Sequence, residues 1–283
     1  MTTITVAETT VQVPSRRRRR YRPLAFSLPI LIGVIILFAI APLIAPMDPL
    51  AQDIASRLQP PSTAHWLGTD DLGRDMFSRL LLGGTSALIG VFIALGTMLI
   101  IGIPWGLAAG YAGGVFDEVL MRGADAFIAL PGLVLAIAIT GIVGPSLENS
   151  MIAIGVVFAP TIARILRSTI LPLRRSEFVL VARSLGVGPA RVALRHVFPN
   201  AMGPVVVQVC SLAAMCLVVQ AGLSFLGMGV QPPAPSWGSD LASAYRRFIS
   251  SPLLTIAPGL TITLCALLLN IVGDGMRKRM RIE

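Results

Sequence analysis

Few residues in this chain could do chemistry, and their spacing limits what that chemistry is. Asp70, Asp71 and Asp75 lie within one short stretch, His65-Trp66-Leu67-Gly68-Thr69-Asp70-Asp71-Leu72-Gly73-Arg74-Asp75. Three carboxylates so close could offer oxygen ligands to a hard cation. The same stretch carries turn residues at Gly68 and Gly73, and Arg74 and Arg79 stand ready to neutralise the acids, so a folded turn is the favoured reading. His65 and His196 are the only histidines. Cys210, Cys216 and Cys265 sit inside apolar runs with no C-x-x-C spacing, which suits buried small hydrophobes and implies no disulfide or metal framework. Gly273-Asp274-Gly275 lacks the paired intramembrane aspartate that a hydrolase would need. A G-x-x-x-x-G-K-[S/T] phosphate loop is absent, so the chain does not bind ATP in the P-loop manner. No catalytic, cofactor-binding or metal residues are assigned, and the chain is not read as an enzyme.

The remaining candidate is a surface. The stretch from Leu171 to Asn200 carries Arg174, Arg175, Arg183, Arg191 and Arg195 against one acid, Glu177. Phe178, Val181, Ala182 and Leu185 recur at i, i+3, i+4 and i+7, one face of a helix. Ser176 suits the N-cap, Glu177 the positive end of the dipole, and Gly186 the left-handed residue that closes the helix. Gly188-Pro189 restarts the chain, predicting a second short helix to about Val197, after which Pro199 turns the chain into an apolar run. Two short helices joined at a glycine make a shaped knob between apolar segments.

Those segments place the knob. The 283 residues are 54% hydrophobic and 13% charged, and the mean hydropathy is +0.79. This excludes a soluble domain. Apolar runs at about 24–45, 86–109, 124–143, 151–171, 205–222 and 253–272 predict six membrane-spanning helices. The first is too long for the apolar region of a signal peptide. Arg164 and Arg167 near the end of the fourth are expected to snorkel to the interface. With the N-terminus inside, Arg16 to Arg20, Arg22, Arg122, the arginines from Arg164 to Arg195, Arg277, Lys278, Arg279 and Arg281 are cytoplasmic. Only Arg57, Arg74, Arg79, Arg246 and Arg247 then lie outside. The positive-inside rule therefore predicts both termini and the knob in the cytoplasm, with the two histidines on opposite sides. The net charge of +9 is explained by this distribution and by contact with the lipid bilayer, not by nucleic acid. The chain divides into a basic tail (1–22), a first span with an external loop (23–84), a five-helix core with its loop at 172–200 (85–276), and a second basic tail (277–283).

Val181-Ala182-x-x-x-Gly186 followed by His196-x-Phe198-Pro199 resembles the EAA loop of ABC-importer permeases: Glu-Ala-Ala, three residues, Gly, nine residues, Ile-x-Leu-Pro. Ala182, Gly186 and Pro199 match. Leu180 stands in place of the glutamate, Val181 of the first alanine, His196 of the isoleucine and Phe198 of the leucine, so the glutamate's contacts are not carried over. More specific is the His65–Asp75 string running on to Ser78-Arg79-Leu80-Leu81. With Gly110-Tyr111-Ala112-Gly113-Gly114, Phe116-Asp117-Glu118, Ala129-Leu130-Pro131-Gly132-Leu133, Ala221 to Gly227, Gln231 to Gly238 and Gly273-Asp274-Gly275, it resembles the dipeptide/oligopeptide/nickel branch of that family, second or C-type subunit.

The resemblance covers about 24–276 and implies an all-α membrane bundle, the type I importer permease core with an added first helix. It implies a bacterial cytoplasmic membrane, a homologous B-type permease, two ABC ATPase subunits or one fused ATPase, and an external substrate-binding protein. ATP and Mg would belong to the ATPases. The ATPase-coupling residues carried over are Glu177, Phe178, Ala182, Arg183, Leu185 and Gly186, with Phe178, Ala182 and Leu185 as the face packed in the ATPase groove. That face would alternatively pack on the permease's own cytoplasmic surface. A secondary transporter would be expected to place ionisable groups at mid-membrane, where the spans have almost none. A non-transporting scaffold would leave the knob unexplained. Substrate-binding residues are not identifiable from the chain.

Overall fold

The computed structural model describes residues 22–280, and the N-terminal arginines Arg16 to Arg20 and the tail residue Arg281 lie outside them. The elements are almost all helices: α1 (Arg22–Ala39), α2 (Met76–Ala112), α3 (Gly114–Ala129), α4 (Gly132–Val143), α5 (Leu147–Leu173), α6 (Glu177–Ser184), α7 (Pro189–Phe225), α8 (Trp237–Tyr245) and α9 (Pro252–Met280). Helices are what the backbone requires here, because lipid offers no partner to an unpaired N–H or C=O.

Four helices are long and apolar enough to cross a membrane: α2, α5, α7 and α9. Two of the expected spans take a different form. The run at 124–143 is not one helix: α3 and α4 meet at Leu130-Pro131 with a bend of 92°, and only the two together are long and apolar enough to count as a fifth span. Leu130 is extended (φ −88°, ψ 141°), as a residue before proline must be, and Pro131 has no N–H to continue the ladder. The first run, expected to reach Ala45, is helical only to Ala39 and then forms a separate turn at Ala41–Ile44, with a proline in its first positions.

The bundle is built on the α2–α5 contact. Gly102, Gly106 and Gly110 stand one turn apart on α2, and a Cβ on each would lie 2.7 Å from the Ala159 carbonyl, 2.5 Å from the Ala163 carbonyl and 2.9 Å from Ile170 Cβ. Gly155 on α5 returns the fit against Thr97 and the Ala94 carbonyl. Glycine therefore sets the interhelical distance, and larger side chains would push the helices apart. Around this seam lies one continuous core, with Met98, Met151, Ile154, Ile162, Leu166 and Ile170 joined to Val179, Val192 and Val197 of the loop. A second cluster, Phe38, Ala87, Leu217, Trp237, Ile262 and Ala266, ties α1 and α8 to the bundle. There Phe38 meets Trp237 edge-on at 5.3 Å, and the indole N–H donates to the Leu80 carbonyl at 2.8 Å.

Candidate functional site

The knob is mounted on the end of α5. Backbone N–H groups of Arg174 and Ser176 donate to the Ile170 and Leu173 carbonyls, turning the chain into α6. Ser176 occupies the N-cap position, but not by the expected side-chain bond: its carbonyl accepts from Val179 N and Leu180 N. Its hydroxyl instead donates backwards to the Leu173 carbonyl at 2.6 Å, which competes with capping. Glu177 lies in the first turn of α6 and Arg183 in the last, both on the favourable ends of the dipole.

The closing glycine is found where the sequence puts it. Gly186 has φ +76°, and a Cβ there would meet nothing within 4 Å. Gly186 N donates to the Arg183 carbonyl at 2.9 Å and Val187 N to the Ala182 carbonyl at 3.1 Å, the paired bonds of a Schellman cap. Backbone conformation, not crowding, is what requires glycine here.

The apolar face of α6 is divided differently from the expectation. Ala182 is only 9% exposed and packs with Val179 in the bundle core. Phe178, Val181 and Leu185 are 42%, 58% and 78% exposed. The outward apolar stripe is therefore Phe178-Val181-Leu185, and Ala182 moves from the docking face to the core. Ala182 adjoins Val181 on the stripe but lies three residues from Val179, and the small side chain falls on the core side of the boundary. Beyond the cap, the expected second helix starts at Pro189 as predicted, but it does not stop at Val197 and the expected turn is absent. Pro189–Val192, a wider π turn at Ala193–Val197 and Phe198–Phe225 form one uninterrupted helix, and Pro199, in the first turn of its last part, does not turn the chain.

Polar contacts that the sequence reading missed hold this end together. Arg167 reaches Asp117 of α3 through two bonds of 2.5 and 2.7 Å, and Arg164 pairs with Asp125 at 2.5 Å. These two arginines are thus paired across helices. The signal was legible in kind: acids and bases facing the same level of a bundle find each other. Arg174 Nη1 donates to the Tyr111 carbonyl at 2.9 Å. Arg183 Nη2 reaches the Tyr111 hydroxyl at 3.3 Å.

At the other end of the bundle the acidic string is a folded turn. Asp70 accepts from Leu72 N, Arg74 N and Arg74 Nε. Asp75 caps α2, its Oδ2 accepting from the backbone and hydroxyl of Ser78 at 2.8 and 2.7 Å, and its Oδ1 lies 3.0 Å from His65 Nδ1. Arg79 is not the principal partner of this string. Its Nε and Nη2 lie 2.9 and 2.5 Å from Oδ1 of Asp240 on α8, against 4.0 Å to Asp70. Burial holds the Asp240 carboxyl above the usual carboxylate range, and Arg79 opposes the rise. Among the described residues, no three His, Cys, Asp or Glu side chains are grouped to hold a metal ion.

Residues 102–282 match a family described as the binding-protein-dependent transport system inner membrane component. The chain is 40% identical over 249 residues to the dipeptide transport system permease protein DppC of Alkalihalophilus pseudofirmus, covering 88% of this chain and 82% of that one. It is 36% identical over 273 residues to a putative peptide transport system permease protein of Brucella abortus, covering 96% and 92%. It is 40% identical over 218 residues to the glutathione transport system permease protein GsiD of Pectobacterium atrosepticum, covering 77% and 72%. The fold is similar to a chain of the MetNI methionine ABC transporter, with a TM-score of 0.57 at 19% identity, covering 72% of this chain and 97% of that one.

Proposed function

Because the chain belongs to the binding-protein-dependent transport system inner membrane component family, we propose that it is the C-type permease subunit of an ATP-driven importer of short peptides. It forms half of the translocation pathway, and a homologous B-type permease forms the other half. The termini and the α5–α7 loop face the cytoplasm, where two ABC ATPases, or one fused ATPase, carry ATP and Mg. An external binding protein delivers the peptide. The dipeptide, peptide and glutathione systems named for its relatives share one chemistry, small solutes with peptide bonds and charged ends.

The observation that carries the coupling role is the split of α6 into two faces. Its outward stripe, Phe178, Val181 and Leu185, is apolar and exposed on a basic loop, the kind of surface a helix offers to a hydrophobic groove. Its inward face, Val179 and Ala182, is part of the bundle core. A push on the first is delivered to the second without an intervening flexible segment. Glu177, Arg183 and Gly186 orient the helix by charge and by the cap.

Reconstitution tests the reading. Proteoliposomes containing this chain with its genomic neighbours should take up a labelled dipeptide only with ATP inside and binding protein outside, and excess unlabelled dipeptide should compete where nickel does not. Uptake without the ATPases, or competition by nickel alone, would overturn the assignment.

A further inference from the structure

Helices α1 and α9 meet near both ends but part in between. Near one end Gly275 is pressed on Leu24, whose Cδ1 would lie 2.9 Å from a Cβ at that position. Towards the other, Phe38 belongs to the same packed cluster as Ile262 and Ala266. Between these contacts Ile30 and Val34 of α1 and Leu264, Cys265, Leu268 and Ile271 of α9 line an apolar groove of about 310 Å³. Ile30 and Leu264 are more than half exposed, so the groove opens to the outside of the chain. Seven residues beyond Ile271, about 10 Å along the helix, α9 presents exposed Lys278 and Arg279. Arg277 is engaged with Ser211 Oγ at 3.3 Å and faces Asp274 at 3.8 Å.

We propose that this groove is a binding site for one anionic phospholipid, with an acyl chain between α1 and α9 and the phosphate on Lys278 and Arg279. The lining offers water nothing but a cysteine thiol, whereas a hydrocarbon chain fills it without loss of hydrogen bonds. A zwitterionic headgroup brings no net charge to the cations, but an anionic one is attracted by them. Apolar groove and paired cations at one headgroup's reach select a lipid over a soluble anion, which would have no use for the groove.

The chain, purified from membranes with whatever subunits accompany it, is delipidated and offered equal phosphatidylglycerol and phosphatidylethanolamine, and retained lipid is counted by native mass spectrometry. One phosphatidylglycerol is expected to be retained about fivefold over phosphatidylethanolamine, and excess inorganic phosphate is expected not to displace it. The double variant Lys278→Gln/Arg279→Gln should lose the preference, and Leu264→Trp should reduce retention of both lipids with assembly unchanged by size-exclusion chromatography. If Leu264→Trp fails to assemble, the double variant decides alone. Equal retention of the two lipids, an unchanged preference in the double variant, displacement by phosphate, or crosslinking of Cys265 to another protein subunit in place of lipid would overturn the site.

Discussion

The guanidinium carbon of Arg183, on the exposed loop helix, lies 5.7 Å from the ring centroid of Tyr111 at the end of α2. Arg183 therefore anchors α6 to a helix other than the two that flank it in sequence. An exposed cation–π contact is worth about 0.5–1 kcal/mol, roughly a two- to fivefold change in an equilibrium. Tyr111→Leu and Arg183→Gln are each expected to lower binding-protein-stimulated ATP hydrolysis by about that factor. The double variant should be no worse than either single one. Additive losses in this cycle would show that the two side chains act separately.

Ala182 and Val181 are neighbours with opposite surroundings, so large substitutions there should fail in different ways. Ala182→Trp overfills a packed core at a cost of about 1–3 kcal/mol, and the expected result is less of the chain in the membrane and a lower melting temperature. Val181→Asp or Leu185→Asp should leave the permease inserted but unable to retain the ATPase on purification. Normal membrane levels of Ala182→Trp with loss of the ATPase would return Ala182 to the docking face.

Gly186 has room for a side chain but not the backbone for one. Gly186→Asn is expected to transport at close to the parental rate. Gly186→Val should transport several-fold less, since a non-glycine residue in the left-handed region costs about 1–2 kcal/mol and a β-branched one is the worst case. Equal uptake by the two variants would remove the cap from the argument.

Asp240 makes the α8 end of the bundle sensitive to pH in a defined direction. Its folded-state pKa is raised, so the folded protein holds the proton more tightly than the unfolded one. Its contribution is most favourable below the ordinary carboxylate range and is lost as pH rises through that range to the raised value. Asp240→Asn, which cannot ionise, should therefore gain on the parent as pH rises from about 4 to 7. Melting temperatures of the two in detergent across that range are the measurement, and a variant that loses ground to the parent as pH rises would contradict the burial argument.

The sequence carried the class and most of the placement, and it failed where the decision was tertiary. Hydropathy located every apolar segment, and the Gly186 cap was legible because only a left-handed residue closes such a helix. The 92° break was written in Leu130-Pro131, but a run of uniform hydropathy hides a bend that costs it no apolar residue. Arg79 does reach Asp70, at 4.0 Å, but its nearer partner Asp240 was missed because it is 161 residues away and proximity in sequence favoured Asp70. The face of α6 was misdivided because periodicity identifies an apolar stripe without saying which edge of it meets the chain's own core.

The unbroken helix from Pro189 to Phe225, 37 residues long, extends about 55 Å along its path. It is a lever. One arm begins next to the knob and the other ends beside α8 at the far surface. The wider turn at Ala193–Val197 sits close to the knob. Turned as a rigid body about Pro189 by a few degrees, a helix of this length would carry Phe225 through several ångströms, so a small motion at the knob would be a larger one at the far surface.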